Sequence, residues 1–177
     1  MPEAKWDTTW LSAGEKSALK RNAGVMMDSA SMQAIEAFYR ALTVRGSAQA
    51  EKAWFAALCM QCLWREEEHP TVKPFPEILR SMYQNPDATE STRKRCTNYL
   101  DIYWDDDGFL LGKICSLARK MRADDASVIP DFNELADDLE PNNWNNNKHW
   151  VQRKWLNIIC RSKTEQEKKE EEDNHAD

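Results

Sequence analysis

Hydrophobic residues recur every three or four positions along most of the chain, which is the spacing of one face of an α helix. Helices are predicted at residues 12–24, 32–44, 48–64, 77–83, 89–103, 108–122, 130–139 and 148–161. No segment alternates hydrophobic and polar residues as a half-buried β strand does. The pattern therefore predicts an all-α fold.

Helix ends and loops divide this pattern into two parts. Ser12 and Glu15 have the spacing of a capping box, and Gly24 suits the left-handed end of that helix. Prolines predict a loop or linker at 69–76, and an Asn-rich stretch predicts a polar loop at 142–147. We expect two small helical bundles joined by a proline-containing linker, at residues 5–85 and 86–163, and a disordered acidic tail at 164–177.

Charged residues are distributed unevenly along the chain. Its 177 residues include 24 Lys and Arg against 30 Asp and Glu, a net charge of −6 that on its own disfavours a polyanionic partner. Residues 164–177 contribute −5 of this charge, so residues 1–163 are nearly neutral. Within that part, residues 108–123 and 141–164 hold four and five basic residues and no acid. The net charge therefore does not exclude a nucleic-acid surface.

Composition also bears on the compartment. No apolar run reaches the ~18 residues of a membrane span, and residues 1–25 lack the apolar core of a signal peptide. Five Cys residues without an export signal are typical of reduced thiols. We therefore expect a cytoplasmic protein that has no disulfides and makes no contact with a membrane.

Motifs for metal binding are weak. Cys59 and Cys62 form a C-x-x-C pair, but no further ligands stand at zinc spacing, so a buried pair of thiols is favoured. A calcium loop with Gly108 at its sixth position would begin at Tyr103 and end at Ile114, where carboxylate ligands are required. We expect no metal or other cofactor.

Motifs for catalysis are equally weak. The chain has no phosphate-binding loop, dinucleotide motif, nucleophile elbow or H-E-x-x-H. A hydrolase that uses Glu134 with Asp138, or Cys160 with His149, is a disfavoured alternative, because a solvated helix face explains the acids and a lone His explains little. The sequence favours a protein that is not an enzyme.

Two predicted helices carry rows of basic residues. Lys113 and Lys120 are seven residues apart, and Lys154 and Arg161 have the same spacing next to Trp150. Such rows suit a phosphate backbone, because each neutralised phosphate releases condensed counterions. A solvated face of extended Lys and Arg side chains explains any single row better. Most of the eight Trp residues are expected in the core, and Trp150 alone lies on a basic face.

Short motifs follow one another in an order that carries a resemblance. Residues 10–24 are WLSAGEKSALKRNAG, followed by AFY at 37–39, WFAAL at 54–58 and RKRCTNYLD at 93–101. The end of the chain has PDF at 130–132, then Asp138-Leu139, Trp144 and VQRKW at 151–155. In this order the motifs resemble the CasB family, the small subunit of the type I-E CRISPR surveillance complex called Cascade.

The resemblance covers about residues 9–161 and implies a non-catalytic, all-helical subunit that is present as a pair. Its partners would be the backbone and large subunits of Cascade, the guide RNA and the target DNA, especially the displaced strand of the R-loop. Matching motif positions imply nucleic-acid contacts at Lys20, Arg21, Arg95 and Lys113. The predicted helix faces add Arg93, Arg119, Lys120, Lys154 and Arg161. Contacts of this kind reach phosphates and are independent of base sequence.

Three residues depart from the family's pattern. Pro76 stands where the family often has Gly, Cys96 replaces an aromatic residue, and Gly112 replaces an expected Arg, which puts one phosphate contact in question. The alternative function is a helical adaptor that binds only proteins, through exposed Trp residues. Association that is insensitive to salt and needs no nucleic acid would favour the adaptor.

Overall fold

Helices build most of the structure. The computed structural model describes residues 3–65, 69–162 and 165–174. Within these ranges the helices are α1 (Ala13–Arg21), α2 (Met32–Ala41), α3 (Ala48–Gln61), α4 (Phe75–Tyr83), α5 (Glu90–Arg95), α6 (Phe109–Asp124), α7 (Phe132–Leu139), α8 (Pro141–Trp144), α9 (Trp150–Cys160) and α10 (Glu165–Asn174). A short 3₁₀ helix, Met27–Ser29, lies between α1 and α2. The all-α prediction is confirmed in part, since the described residues are mainly helical.

Side-chain caps determine where several helices begin. The Ser12 hydroxyl accepts a hydrogen bond from the backbone N–H of Glu15 at 3.2 Å, and the Glu15 carboxylate accepts one from the Ser12 N–H at 2.7 Å. The predicted capping box is therefore present. Ser31 and Ser47 cap α2 and α3 through their hydroxyls. Gly24, shortly after α1, has a φ of +84°, the left-handed conformation expected of it.

A small parallel sheet corrects the all-α prediction. The two strands are β1 (Thr71–Lys73) and β2 (Val128–Pro130), and Thr71 pairs with Val128. Strands of three residues are too short to show a period-two pattern. The predicted loop at 69–76 thus contains a strand and the first turn of α4, where Pro76 needs no backbone N–H.

Several predicted boundaries differ from the structure. The helix predicted at 89–103 ends at Arg95, and turns continue from there to residue 101. The predicted polar loop at 142–147 overlaps α8, which begins at Pro141 because the fixed φ of proline suits a first turn. Residues 66–68, 163, 164 and 175–177, which hold parts of the predicted acidic and basic runs, lie outside the described residues.

Helix α10 lies within the segment for which disorder was expected. Glu, Gln and Lys, which make up most of this segment, are good helix formers. Local propensity therefore supports a helix where the lack of apolar residues predicted none.

The buried side chains form one cluster to which both halves of the chain contribute. Helix α3 packs most extensively against α7, and α4 against α9. Tyr99, Trp144 and Trp155 lie together in this core, with 5.4 Å between the ring centroids of the two tryptophans. Six of the eight Trp residues are at most 7% exposed, as expected of core residues. The division into bundles at residues 5–85 and 86–163 stays a prediction.

Candidate nucleic-acid interface

Helix α6 separates an apolar side from a basic side. Its buried residues include a stripe of Leu110, Ile114, Leu117 and Met121. On the other side Lys113, Ser116 and Arg119 are exposed, and the Lys120 side chain is 29% exposed. Because these residues recur at intervals of three and four, they share one side of the helix.

Arg95 brings α5 onto the same side of α6. Its Nη2 donates a hydrogen bond to the Ser116 Oγ at 3.1 Å, and Ser116 lies between Lys113 and Lys120 along the helix. Burial raises the pKa of the Cys96 thiol to about 11, and the charges of Arg95 and Lys120 oppose this effect. We call Arg95, Lys113, Arg119 and Lys120 the α5–α6 basic surface.

The cations of this surface differ in how far they are neutralised. Lys120 forms an ion pair with Asp124 at 2.9 Å. Within the described part of the chain, no carboxylate pairs with Arg95, Lys113 or Arg119. Three positive charges on the α5–α6 basic surface are therefore open to an anionic ligand.

Arg119 also connects this surface with the end of α1. Its Nη2 donates to the carbonyl of Ala23 at 3.4 Å. The exposed residues Lys20 and Arg21 immediately precede this position, and Arg21 Nη1 donates to the Ser17 Oγ at 3.0 Å. The C-terminal end of α1 and the basic side of α6 are therefore neighbours.

Lys20 lines an open groove next to α3. The groove has a volume of about 610 Å³, and its walls include Lys16 and Arg65. No carboxylate stands among the described residues that line it. Sequence analysis misses Arg65, because it stands directly before the acidic residues 66–68 and so shows no basic run.

A second basic cluster surrounds the C-terminal end of α4. Arg93 Nε donates to the Tyr83 carbonyl at 3.2 Å, and Gln84 Nε2 donates to the Arg161 carbonyl at 2.5 Å. Arg80 lies one turn earlier, with 15% of its side chain exposed. Cations suit this position because the C-terminal end of a helix carries partial negative charge. We call Arg80, Arg93 and Arg161 the α4-end cluster. Arg80 escapes sequence analysis because no basic residue stands near it in the chain.

Lys154 is bound within the protein and does not extend the basic row of α9. Its Nζ lies 2.7 and 2.8 Å from the two carboxylate oxygens of Asp138, and Trp155 Nε1 donates to the same carboxylate at 2.8 Å. Asp138 is only 5% exposed, so its charge depends on these partners. Trp150 begins α9 and Arg161 follows its last residue; both are exposed, but the ion pair at Lys154 lies between them in the chain.

The two disfavoured catalytic pairs do not form catalytic arrangements. Asp138 is occupied by Lys154 and Trp155, and burial raises the pKa of Glu134 above its usual value. His149 and Cys160 stand at opposite ends of α9, which separates them by roughly 16 Å at the rise of an α helix. Neither pair therefore offers a nucleophile or base held by a partner.

The cysteine and acidic side chains of the described residues do not form a metal-binding site. All five cysteines are free, and Cys59 is buried. Among residues 3–65, 69–162 and 165–174, no group of three or more His, Cys, Asp or Glu side chains is arranged to hold a metal ion. None of the helices within these ranges is long and apolar enough to cross a membrane.

The comparison with known families covers most of the chain. Residues 15–157 match the family described as CRISPR-associated protein Cse2. The chain belongs to the Cse2 family. This is the CasB family under its other name, so the resemblance seen in the motifs is confirmed. No curated protein and no solved structure matches the chain.

Membership of the Cse2 family places the chain in a larger assembly. Cse2 proteins are non-catalytic subunits of the type I-E CRISPR complex Cascade. The α5–α6 basic surface lies within the matched range, whereas Arg161 and α10 follow it. The basic side of α6 thus belongs to the shared Cse2 part of the chain, and α10 lies beyond it.

Proposed function

We propose that this Cse2 protein binds the sugar-phosphate backbone of the nucleic acids in Cascade. The α5–α6 basic surface supports the proposal, because Arg95, Lys113 and Arg119 are exposed on one side of the molecule without a carboxylate partner among the described residues. Each phosphate that such a cation neutralises releases counterions. The guanidinium groups also match the geometry of phosphate oxygens.

The proposed ligands are the guide RNA and the target DNA, especially the displaced strand. Lys and Arg contacts to phosphates carry no sequence information, and pairing between guide and target supplies it in RNA-guided complexes. A pair of copies, placed beside the backbone and large subunits, would then stabilise the R-loop and the assembly without reading bases.

The other predicted contacts differ in what a phosphate must displace. Lys20 and Arg21 are exposed on α1, and Arg93 and Arg161 belong to the α4-end cluster. Lys120 and Lys154 already bind Asp124 and Asp138. A phosphate must compete with those carboxylates, so we expect Lys120 and Lys154 to contribute less than Lys20 and Arg21.

Charge reversal on α6 tests this proposal. K113E/R119E should weaken the binding of a fluorescein-labelled oligothymidylate at low salt by about tenfold or more, because two phosphate contacts are lost and repulsion is added. The slope of log affinity against log salt should fall by about 1.4, the value for two contacts to a single strand. Fluorescence anisotropy measures both quantities.

The control for this experiment is R45E/K148E. It changes the net charge by the same amount at exposed loop and turn positions outside α6. An equal loss of affinity in both variants would show that net charge governs binding and that the assigned surface is wrong. Affinity that does not change with salt would contradict the proposal as well.

A helical adaptor is the second candidate, and exposed aromatic side chains favour it. Trp10 is 73% exposed, Phe109 61% and Trp150 44%. Buried aromatic anchors often dominate protein interfaces. Association with other Cascade subunits that is equally strong at low and high salt, together with no oligonucleotide binding, would support the adaptor over the nucleic-acid subunit.

A further inference from the structure

Helix α10 folds back against the α4-end cluster. The two terminal nitrogens of Arg80 each contact one carboxylate oxygen of Glu167 at 3.2 Å. Arg80 is 15% exposed and Glu167 38%, so the pair is partly shielded from water. Glu171, one turn further along α10, lines the same groove as Arg80, Arg161 and Glu167. Carboxylates of the acidic helix therefore face the cations of this cluster.

Arg80 depends on a ligand from outside α4. Its Nε is buried and has no hydrogen-bond partner among the described residues, whereas its two terminal nitrogens are bound by the carboxylate of Glu167. A charge that is partly buried is costly without such a partner. The fork of an Arg guanidinium binds carboxylate and phosphate in the same two-pronged geometry. A phosphate group thus fits where the Glu167 carboxylate lies.

The charge of α10 is that of a short polyanion. Residues 165–174 hold six carboxylates and two lysines. Residues three and four apart on a helix are about 5–6 Å apart at Cβ, so Glu167 and Glu171 form a row of negative charge on one side. The match to the Cse2 family ends at residue 157, so this row lies beyond the shared part of the chain.

We infer that α10 competes with nucleic acid for the α4-end cluster. In the isolated chain the helix occupies Arg80 and lines the groove beside Arg161, and a phosphate backbone reaches these residues only when α10 is displaced. The inference rests on the proposed nucleic-acid function and describes the regulation of its surface. The acidic helix thereby keeps the affinity of the free subunit for nucleic acid low.

Two matched pairs of substitutions in the full chain test the inference. E167Q/E171Q removes the carboxylates that face the cluster, and E172Q/D173N removes the same charge from the other side of α10. We expect E167Q/E171Q to raise the affinity for a fluorescein-labelled oligothymidylate at low salt by roughly two- to tenfold, the range for losing one or two exposed ion pairs. E172Q/D173N should change the affinity by less than about twofold, because long-range charge is screened.

A third substitution locates the gain in affinity. R161Q should lower the affinity of the E167Q/E171Q protein but hardly change that of the unmodified chain, in which α10 lines the same groove as Arg161. An equal effect of R161Q in both backgrounds would overturn the inference. Equal gains in affinity from E167Q/E171Q and E172Q/D173N would also overturn it. General repulsion between the acidic helix and the oligonucleotide would then explain both gains.

The outcomes separate this inference from the proposed function. If neither pair raises the affinity while K113E/R119E still weakens binding, the competition by α10 is wrong and the α5–α6 basic surface stands. If no variant and no unmodified protein binds the oligonucleotide, both the competition and the proposed function fail.

Discussion

Gly112 leaves the α5–α6 basic surface without a side chain at a position where the fold does not require glycine. It lies on the exposed side of α6, one turn before Ser116, and a Cβ at this position would meet no atom within 4 Å. A glycine inside a helix costs about 0.5–1 kcal/mol relative to alanine. The resemblance to the CasB family predicts an Arg here, and a Cβ at this position would point into open space.

Restoring a side chain at this position should therefore add both stability and affinity. G112R should raise the free energy of unfolding by about 0.5–1 kcal/mol and the salt slope of oligothymidylate binding by about 0.7, the value for one further phosphate contact. G112A should give the gain in stability alone. Urea unfolding and anisotropy titrations measure the two effects, and an equal gain in affinity from G112A would rule out a phosphate contact.

Glu134 provides a pH-dependent test of the carboxylates beside Lys154. Burial raises the pKa of this carboxyl, although Lys154, 3.9 Å away, acts in the opposite direction. A pKa that is raised by folding means that the folded protein binds the proton more tightly. The contribution of Glu134 to stability is thus present below the ordinary Glu pKa and is lost as the pH rises through the raised value.

E134Q should consequently stabilise the protein at neutral pH. The gain in the free energy of unfolding should stay below about 1 kcal/mol, because the side chain is 41% exposed and water screens its charge. It should vanish at about pH 3.5, where Glu is protonated in both states. Urea unfolding at the two pH values measures this gain in the free energy of unfolding. E36Q, at an exposed position, is the control. A loss of stability at neutral pH would show that the attraction of Lys154 outweighs burial.

Single residues of the interface differ in how well the sequence predicts them. Lys113 and Lys120 follow from helical spacing, because both lie on one continuous helix. The contact of Arg95 with Ser116 and the ion pair of Lys154 with Asp138 join residues that are far apart in the chain, and no local pattern contains them. The ion pair of Lys154 with Asp138 has the larger effect on the prediction. Helical spacing predicts that Lys154 contacts phosphate, whereas the structure shows it bound to a carboxylate.

At the scale of elements, α1 is positioned by its first turn. The capping box satisfies backbone groups at Ser12 and Glu15, and the Glu15 carboxylate also pairs with Arg40 of α2. The same few residues therefore begin α1 and hold it against the next helix. Helix α1 in turn carries Lys20 and Arg21.

Removal of the cap should weaken this element measurably. S12A should lower the free energy of unfolding by about 1 kcal/mol, because an N–H at the start of α1 loses its partner. S17A, at an exposed position inside the same helix, should change it by less than about 0.5 kcal/mol. Urea unfolding compares the two variants. Equal losses would mean that the cap adds nothing beyond an ordinary surface hydroxyl.

Elements were predictable from the sequence where they are long and amphipathic. Helices α2, α6 and α9 appear within a few residues of the predicted positions because each repeats an apolar stripe, and α3 does so because its long apolar run is buried on several sides. Strand β1 is fully exposed and three residues long, so nothing in its sequence distinguishes it from a loop. Its pairing depends on β2, which is far away in the chain.

At the scale of the whole molecule, the core joins the two predicted bundles. Phe75, from the first half, lies 5.4 Å from the ring of Trp155 in the second. Trp54 Nε1 donates to the Glu140 carboxylate at 2.8 Å, which also links the halves. A division near residue 85 therefore cuts through buried contacts.

Both halves should unfold together for this reason. We expect one cooperative transition in urea, with coincident curves from far-ultraviolet circular dichroism and Trp fluorescence, which is the behaviour of a single two-state unit. Two separate transitions would instead support bundles that are stable independently.

The pairing of β1 with β2 has a consequence for the order of folding. Parallel strands require a crossover, and here residues 74–127, with α4, α5 and α6, lie between them. Closing so long a segment carries a large entropic cost before any contact repays it. The hydrogen bond from the Thr71 N–H to the Ser127 carbonyl should thus become protected from exchange late in refolding, after the amides of α6. Protection of the Thr71 amide in the two-stranded sheet would then report that folding of the chain is complete.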